Sequence, residues 1–511
     1  MFTVDVNQKM ESEKTPKRSS APTLLFIVIF FSLITYFYVT KKNSDDNQTS
    51  SGADLQIIEA TQSKYYLVQK EFKTHENSVS MSELSEGEVA CFEEDSENIK
   101  TLLEIDSVNI INSDSAYEWM KTNSYSSYLI IPPEKSDVRL KTLAVDDMYI
   151  WDKGIDLSKY PLVVQEEVQV ASNEVDSFGA SNFDHSSVLT YVAGGEVVPS
   201  RAVARKFLRT EDYKFPFYDV EELFLESDVS SLMLENSMDG TPTPCHGCTW
   251  FEGDEKFMEG LEFIDVDVIS PGNHFRDGGD DSVARTIELL NEAGIHYSGF
   301  SSTNWDDASE PAVTEIDGFK IAYLGYDDVG WFHWAGPTWG GVATVSTRAE
   351  SGAKNLLVDR IKNDVERATA VSDYVIVLMS WGDIQYINKP LEYQRQMGQA
   401  FLDAGADLIV GSHQHWVNAV ESYEGSLIFY GIGNFVFDLT HTDPTREGVL
   451  IKFYFFNKKL VSAKIIPYQA CGPQQSLVDD DNCNHFQPRL LEETDPVYRG
   501  IMERMFEYTN V

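Results

Sequence analysis

Short apolar runs alternate with polar segments from residue 188 onwards, and most of the runs end beside glycine or an acidic residue. Runs of this length, bounded by glycine, are typical of buried strands. We therefore predict strands at residues 188–192, 232–234, 266–270, 321–326, 374–379, 408–410 and 427–430. Helical periodicity predicts helices at 283–293, which stops at Gly294, and at 391–404, which is capped by Gly405. The pattern is a repeated strand-then-helix order.

The apolar stretch at residues 21–40 carries no charge and is long enough to cross a membrane as a helix. More lysine and arginine residues precede it than follow it, which favours an inside N-terminus. We predict a cytoplasmic segment at 1–20, a transmembrane signal anchor at 21–40 and a linker at 41–52. A cleaved signal peptide is the alternative, but the run lacks a small-x-small site. The protein is then a single-pass protein of the cell membrane with its later domains outside the cytoplasm.

Residues 53–185 are predicted to form a smaller accessory domain outside the membrane. Apolar segments at 128–131 and 143–145, with a helical pattern at 112–122, indicate an α/β or α+β domain. It holds no catalytic constellation, so ligand binding, spacing from the membrane and partner contact stay open. The main domain is predicted at 186–470, followed by a tail at 471–511 whose amphipathic pattern at 498–508 predicts a docked helix.

The net charge of the chain bears on whether it binds nucleic acid. The 511 residues include 40 Lys+Arg and 82 Asp+Glu, which gives a formal net charge of −42. Nucleic-acid binding requires clustered cations, so this balance argues against it. A hydrophobic content of 42% is ordinary for packed domains, and the length suits two or three of them.

The five cysteines fit an oxidising compartment. Cys245 and Cys248 lie close together, as do Cys471 and Cys483, so we predict two local disulfides and an unpaired Cys91. The alternative is a zinc knuckle that uses the CxxC pair with a nearby histidine, but a second pair at knuckle spacing is missing.

Candidate metal ligands follow several predicted strands. The carboxyl ends of neighbouring parallel strands meet at one edge of a sheet, where α/β proteins bind ligands. Carboxylate, amide and imidazole groups together suit Mn, Fe, Zn or Mg. Two of the imidazoles are two positions apart and would share one face of an extended segment. Each acid alone is more simply a solvated loop residue. The candidate set is Glu196, Glu235, Asn273, His413 and His415.

Further polar residues predict a catalytic group and a substrate surface. His274, next to the candidate ligand Asn273, can donate a proton to a leaving group. Arg201 can steer an anionic group, and Asp277 completes the predicted catalytic set. Arg201, His333 and Asn434 are predicted to contact substrate. The aromatic segments at 330–334 and 339–341 either wall the substrate groove or form an ordinary packed loop.

Three segments carry a resemblance to a known family: SPGNHFRDGG, SWGD and GADLIVGSHQHWVNAVESYEGSLIFYGIGNFVFD. Through them residues 188–470 resemble the bacterial capsule and poly-γ-glutamate synthesis protein CapA family, whose domain is similar to calcineurin-like metallophosphoesterases. The resemblance implies a four-layer α/β/β/α sandwich with one or two divalent metal ions. It also implies a membrane-bound, outward-facing role in making, exporting or anchoring an anionic polymer, with membrane synthase or export subunits as partners.

The chain departs from the family pattern at three positions. Glu196 stands where the family usually has Asp, Met233 replaces an amide, and Ser380 stands where the family has a histidine. A serine hydroxyl is a poor metal ligand beside imidazole, so a second metal position loses a strong donor. One metal held by Glu196, Glu235 and His415 is one expectation. Two hypotheses follow: a metal-dependent phosphoesterase-like or amide-bond hydrolase or transferase, and a non-catalytic polymer-binding subunit.

Overall fold

The computed structural model describes residues 57–123, 126–171, 181–240, 242, 244, 249–348, 354–382, 387–439, 441–470 and 486–511. The predicted membrane anchor and linker, and the cysteines of the two predicted disulfides, lie outside these residues. Within them, no helix combines the length and apolar character needed to cross a membrane. Cys91 is buried and forms no disulfide in the described part of the chain.

The chain divides into two compact units. Among the described residues, one comprises 57–61 and 167–171, and the other comprises 62–166 and those from 181 onwards. The accessory segment at 62–166 and the main domain therefore belong to the same unit.

The accessory region is a mixed sheet with three short helices, as the alternating pattern predicts. Its helices are α1 (Met81–Glu86), α2 (Ser96–Leu103) and α3 (Ala116–Thr122). Its strands are β1 (Ile57–Tyr65), β2 (Leu67–Glu71), β3 (Ser78–Val79), β4 (Val89–Cys91), β5 (Asn109–Ile110), β6 (Tyr128–Ile131), β7 (Leu140–Val145) and β8 (Val163–Ala171). Six strands form one sheet in the order β3-β7-β2-β6-β4-β5, and β1 pairs with β8.

The main domain alternates strands and helices over its first part and ends in antiparallel strands and a helix. The helices are α4 (Arg201–Thr210), α5 (Glu221–Leu225), α6 (Met258–Phe263), α7 (Gly279–Ala293), α8 (Trp305–Ala308), α9 (Val358–Thr369), α10 (Glu392–Asp403) and α11 (Pro496–Phe506). The strands are β9 (Val188–Val197), β10 (Val229–Asn236), β11 (Val268–His274), β12 (His296–Tyr297), β13 (Phe300–Ser301), β14 (Ala312–Ile316), β15 (Phe319–Asp327), β16 (Gly341–Val342), β17 (Ser346–Arg348), β18 (Lys354–Leu356), β19 (Tyr374–Ser380), β20 (Leu408–Ser412), β21 (Val420–Tyr423), β22 (Ser426–Phe429), β23 (Asn434–Val436), β24 (Glu447–Phe456), β25 (Lys459–Gln469) and β26 (Arg489–Leu490).

Two large sheets pack face to face. One has the order β12-β11-β10-β9-β24-β25-β26 with β23 added beside β9, and the other has the order β14-β15-β19-β20-β22-β21. Side chains of β19 show how the layers arise, since Ile376 and Leu378 enter the core between the sheets whereas Val375 and Val377 face α9 and α10. Both faces of the strand are covered, which explains its continuous apolar run.

Helices cover the outer face of each sheet. Helices α4 to α7 share a core with the outer side of β9 to β11, and α9 and α10 share one with the outer side of β15, β19 and β20. Helix α11 buries Ile501 and Met505 in the core between the sheets, so the predicted docking of a C-terminal helix is confirmed. The order of layers is helix, sheet, sheet, helix, and the predicted mixed α/β fold is confirmed.

The strand ends create the edge on which the site is built. Strands β9, β10 and β11 run parallel to one another, as do β15, β19 and β20 in the facing sheet. The strand predicted at 188–192 is longer than expected, because β9 continues through Gly194 and Gly195 to Val197. These glycines serve close packing: a Cβ on Gly195 would lie 2.1 Å from the carbonyl oxygen of Gly433.

Candidate functional site

His415 is held between two acceptors. Its Nδ1 lies 2.9 Å from Oε2 of Glu196 and 2.9 Å from Oδ1 of Asn434, and all three residues are buried. Because both partners accept, Nδ1 carries the proton and Nε2 is the nitrogen turned away from them. Asn434 in turn donates from Nδ2 to the carbonyl oxygen of Thr445 at 2.9 Å. The Thr445 contact thus orients the Asn434 amide, and the amide oxygen orients His415. These contacts explain Asn434 without the predicted contact with substrate.

Glu196 and His415 form a buried ion pair. Burial by itself raises the pKa of Glu196, but the charge and hydrogen bond of His415 outweigh it and lower that pKa below its usual value. Burial lowers the pKa of His415, and Glu196 reverses the direction, so this pKa is raised. The two shifts agree, since each partner stabilises the charged form of the other.

The two histidines after β20 are neighbours for a different reason from the one predicted. The segment is not extended: β20 ends at Ser412, and His413 and His415 have φ values of 85° and 61°. Left-handed backbone is uncommon for residues other than glycine and is concentrated at functional sites. The two rings still lie close together, with centroids 5.4 Å apart.

Glu235 lies buried without a hydrogen bond to one of its oxygens. In the described part of the chain, Oε2 of Glu235 has no hydrogen-bond partner, and the same holds for Oε1 of Glu196 and Oδ1 of Asn273. The Glu235 carboxylate lies over Gly272, where a Cβ would be only 1.7 Å from Oε2. Burial and then the charges of Glu196, Asp327 and Asp277 raise the pKa of Glu235 well above its usual range.

Asp277 holds two imidazoles at once. Its Oδ2 accepts from Nδ1 of His274 at 2.8 Å and from the Phe251 amide at 2.7 Å, and its Oδ1 lies 3.0 Å from Nε2 of His333. Burial raises the pKa of Asp277, but the hydrogen bonds from His274 and His333 outweigh this and lower it. The ring of Phe251 stacks on His274 with centroids 3.9 Å apart. His274 is therefore fixed by its edge and by its face.

Arg201 joins this group through the same phenylalanine. It begins α4 with a left-handed φ of 56°. Its Nε lies 3.2 Å from Oδ2 of Asp438, and its guanidinium lies over the rings of Phe251 and Phe437. The predicted catalytic residues Arg201, His274 and Asp277 thus lie together.

Sequence reasoning missed Asp327, which ends β15 in the facing sheet. This fully buried carboxylate accepts from the Gly330 amide at 2.7 Å, from Oγ of Ser380 at 3.0 Å and from the Trp334 indole at 3.3 Å. Burial raises its pKa to about 6. The rule that selected Glu196, an acid at the end of a strand, would also have selected Asp327. The role of Ser380 is thus to orient Asp327, which in turn holds the start of the loop that follows β15.

That loop, residues 329–341, presents aromatic rings to solvent. Trp331, Phe332 and Trp339 are 54%, 58% and 50% exposed, whereas His333 is buried. The ring of Phe332 contacts that of His333, with centroids 4.2 Å apart. An ordinary packed loop would bury these rings, so this interpretation is wrong for the three exposed residues. The ring of Phe332 therefore lies next to the imidazole that contacts Asp277.

The predicted metal ligands meet at one rim without forming a finished cage. In the described residues, no group of three His, Cys, Asp or Glu side chains is placed to hold a metal ion. The ligands are nevertheless neighbours. Glu196 pairs with His415, and the charge of His413 also lowers its pKa. The charge of Glu196 raises the pKa of Glu235, which accepts a hydrogen bond from the backbone amide of Asn273. We call this group, together with Asp277, His274 and Asp327, the rim.

The fold and the rim define an α/β protein that collects buried acids and imidazoles at the carboxyl ends of its strands. The family model of the bacterial capsule synthesis protein PGA_cap matches residues 190–439. This part of the chain belongs to that family. The match contains every residue of the rim.

Two relatives are similar over part of their length. The chain is 29% identical over 199 residues to the capsule biosynthesis protein CapA of Bacillus anthracis, a match that covers 38% of this chain and 45% of that protein. It is 30% identical over 185 residues to the PGA biosynthesis protein CapA of Bacillus subtilis, covering 36% and 46%. The chain thus spans less than half the length of each relative.

Solved structures give weaker likenesses. A hypothetical protein from Thermus thermophilus is 12% identical with a TM-score of 0.34, and the match covers 55% of this chain and 99% of that one. A putative 5'-nucleotidase from Staphylococcus aureus is 12% identical with a TM-score of 0.33, covering 62% and 57%. With TM-scores below 0.5, neither likeness bears on the chemistry of the rim.

Proposed function

We propose that this chain is a single-pass membrane protein whose outer domain acts on poly-γ-glutamate or another anionic capsule polymer. It takes part in the synthesis, export or anchoring of the polymer, together with membrane synthase or export subunits. The family of residues 190–439 and the named roles of the two CapA relatives support the polymer. The uncharged stretch at 21–40 supports the anchor.

We further propose that the rim binds one divalent cation, Mn, Fe, Zn or Mg. The observation that carries this proposal is a set of three buried acceptor oxygens without hydrogen-bond partners in the described residues, on Glu196, Glu235 and Asn273. Buried acceptors are normally paired, and a buried carboxylate without a counter-charge is costly. Burial, and then the charges of neighbouring acids, also raise the pKa of Glu235. Two carboxylates and an amide oxygen suit a hard cation.

The residues around the rim supply the remaining chemistry. Glu196, Glu235 and Asn273 would hold the cation, and His415 would add Nε2, the nitrogen that faces away from Glu196, as a neutral imidazole that has released its second proton. A bound divalent cation supplies polarisation of a carbonyl or phosphoryl oxygen and activation of water. Asp277 accepts a hydrogen bond from Nδ1 of His274, so Nε2 is the atom that would exchange a proton with the leaving group. This arrangement suits hydrolysis or transfer at a phosphoester or amide bond.

Metal content and polymer length test the proposal in the full-length protein. Wild-type protein, Glu235→Gln, His274→Ala and the control His296→Ala, at an exposed position in β12, are analysed for bound metal and incubated with poly-γ-glutamate. We expect about one equivalent of metal and shortened polymer for wild type and control. Glu235→Gln loses the metal, and His274→Ala keeps the metal but not the cleavage. Metal-free wild-type protein would contradict the cation site.

A second function, polymer binding without catalysis, has its own support. The described residues contain no ready group of three charged or imidazole ligands, and Ser380 is occupied by Asp327. In that case metal-free protein still binds poly-γ-glutamate, and His274→Ala changes neither binding nor polymer length. The same set of variants therefore separates the two functions.

A further inference from the structure

A cavity of about 340 Å³ lies between the accessory region and the main domain, within one compact unit. Strand β7 and the segment at 72–78 form one side, and β25, α11 and the segment at 491–493 form the other. Its volume lies at the lower end of the range of small-molecule sites. It shares no lining residue with the rim.

The walls of the cavity are apolar and already ordered. Phe72, Tyr149, Leu491 and Met502 line it and are all buried. Tyr498 is fixed by a 2.7 Å hydrogen bond from Nδ2 of Asn77. The walls therefore present a preformed apolar surface to the body of a small molecule.

One cation within the cavity has no anionic partner among the described residues. The ammonium of Lys141 donates to the Thr74 carbonyl oxygen at 3.1 Å, and no carboxylate in that part of the chain forms an ion pair with it. Burial lowers its pKa to about 8, against the opposing charges of Glu493 and Glu76. The other cation of the lining, Lys464, is paired with Asp152 at 3.1 Å. A carboxylate from a ligand would complete the contacts of Lys141.

Acids stand at the solvent side of the same cavity. Glu492, Glu493 and Asp147 line it and are exposed, and among the described residues only the Asp147 side chain accepts a hydrogen bond, from the Ser78 hydroxyl at 3.2 Å. A simple anion would be repelled by these acids, and a simple cation would leave Lys141 unpaired. A ligand that carries both an ammonium and a carboxylate satisfies both ends.

We infer that this cavity binds an α-amino acid group, with its carboxylate on Lys141, its ammonium toward Glu492 and Glu493, and its side chain against the apolar wall. Two sources carry this chemistry. One is a free amino acid, and the other is the amino-terminal unit of a γ-linked glutamate chain, which keeps both groups on its α-carbon. Either ligand would contact both the accessory region and the main domain, which gives residues 62–166 a role in binding.

Thermal shift and calorimetry on the full-length protein test this inference with each standard L-amino acid and with a γ-linked glutamate oligomer. For leucine, matched analogues are 4-methylpentanoate, which lacks the amino group, and 3-methylbutylamine, which lacks the carboxylate. We expect at least one amino acid or the oligomer to bind, and analogues that lack either group to bind about tenfold more weakly, the cost of one charged hydrogen bond. Binding by the oligomer alone identifies the polymer end as the ligand.

Variants of Lys141 complete the test. Lys141→Met is expected to weaken binding about tenfold or more, whereas Lys141→Arg keeps the charge and most of the affinity. Lys153→Met, at an exposed lysine paired with Asp228 outside the cavity, is the matched control and binds as wild type. The inference is overturned if no probe binds, if an analogue binds as well as its parent, or if Lys141→Met binds like the wild type. None of these outcomes depends on metal or cleavage at the rim, so the proposed function is judged separately.

Discussion

At the scale of single residues, the rim contains a carboxylate that is poorly placed in the absence of a cation. Glu235 is 1% exposed, and burial with three neighbouring acids raises its pKa well above its usual range. Its folded-state pKa lies above the unfolded value of about 4.5, so the folded state binds this proton more tightly. Stability is therefore lost as pH rises from that value toward the raised pKa.

Glu235→Gln removes this cost. In the presence of chelator we expect the variant to be more stable than wild type at pH 8 by about 1–3 kcal/mol, the usual cost of an unsatisfied buried polar group. At pH 4.5 the difference should shrink, because wild-type Glu235 is then neutral. Urea denaturation of both proteins at the two pH values measures this difference in the free energy of unfolding. Equal stability at pH 8 would show that the carboxylate is already compensated.

His415 makes the opposite kind of contribution, because it neutralises a buried acid. The raised pKa of His415 gives stability that is complete below about 6.5 and is lost as pH rises through the folded-state pKa. The lowered pKa of Glu196 gives stability that is complete above about 4.5 and is lost as pH falls through the folded-state pKa. The pair therefore stabilises most between these two values.

His415→Ala strands Glu196 as an unpaired buried charge. We expect it to cost about 3–5 kcal/mol at pH 6, measured by urea denaturation. Adding Glu196→Gln to this variant should restore part of the loss, since the second change removes the stranded charge. If the two changes are simply additive, the ion pair does not couple these residues.

At the scale of elements, much of the candidate site could be predicted from the sequence, because its acids and its amide follow predicted strands. The strands that deliver Glu196, Glu235 and Asn273 were predicted, and their parallel pairing explains why distant positions meet. The left-handed backbone of His413 and His415 could not be predicted, because local periodicity describes only regular segments. The ion pair of His415 with Glu196 also lay beyond the sequence, since it depends on the packing of two sheets.

Ser380 ends β19 opposite Asp327 of β15, and this register explains its role. Its hydroxyl donates to Asp327, which also holds the start of the aromatic loop. We expect Ser380→Ala to cost about 1 kcal/mol of stability, the value of one buried hydrogen bond, without any change in metal content. Thermal unfolding and metal analysis of the same sample measure both. A loss of metal would instead make Ser380 part of the cation site.

At the scale of the whole molecule, the strong negative charge constrains how an anionic polymer is recognised. A chain with a formal charge of −42 repels poly-γ-glutamate at long range. Salt screens such repulsion, since the Debye length falls from about 10 Å at 0.1 M to about 3 Å at 1 M. Binding must then depend on short-range contacts, at the rim, at the exposed rings of the aromatic loop or in the cavity beside Lys141.

Affinity for poly-γ-glutamate is therefore expected to rise several-fold between low and high salt, the reverse of binding by a basic surface. Calorimetry on the full-length protein at both ionic strengths measures this affinity, and a parallel series contains chelator. Because a bridging cation would offset the charge of acids and polymer together, chelator should weaken binding at both salt concentrations if the rim is the contact. If affinity instead falls with salt, a local cluster of lysine or arginine must outweigh the net charge of the chain, and the polymer would then bind away from the acidic rim.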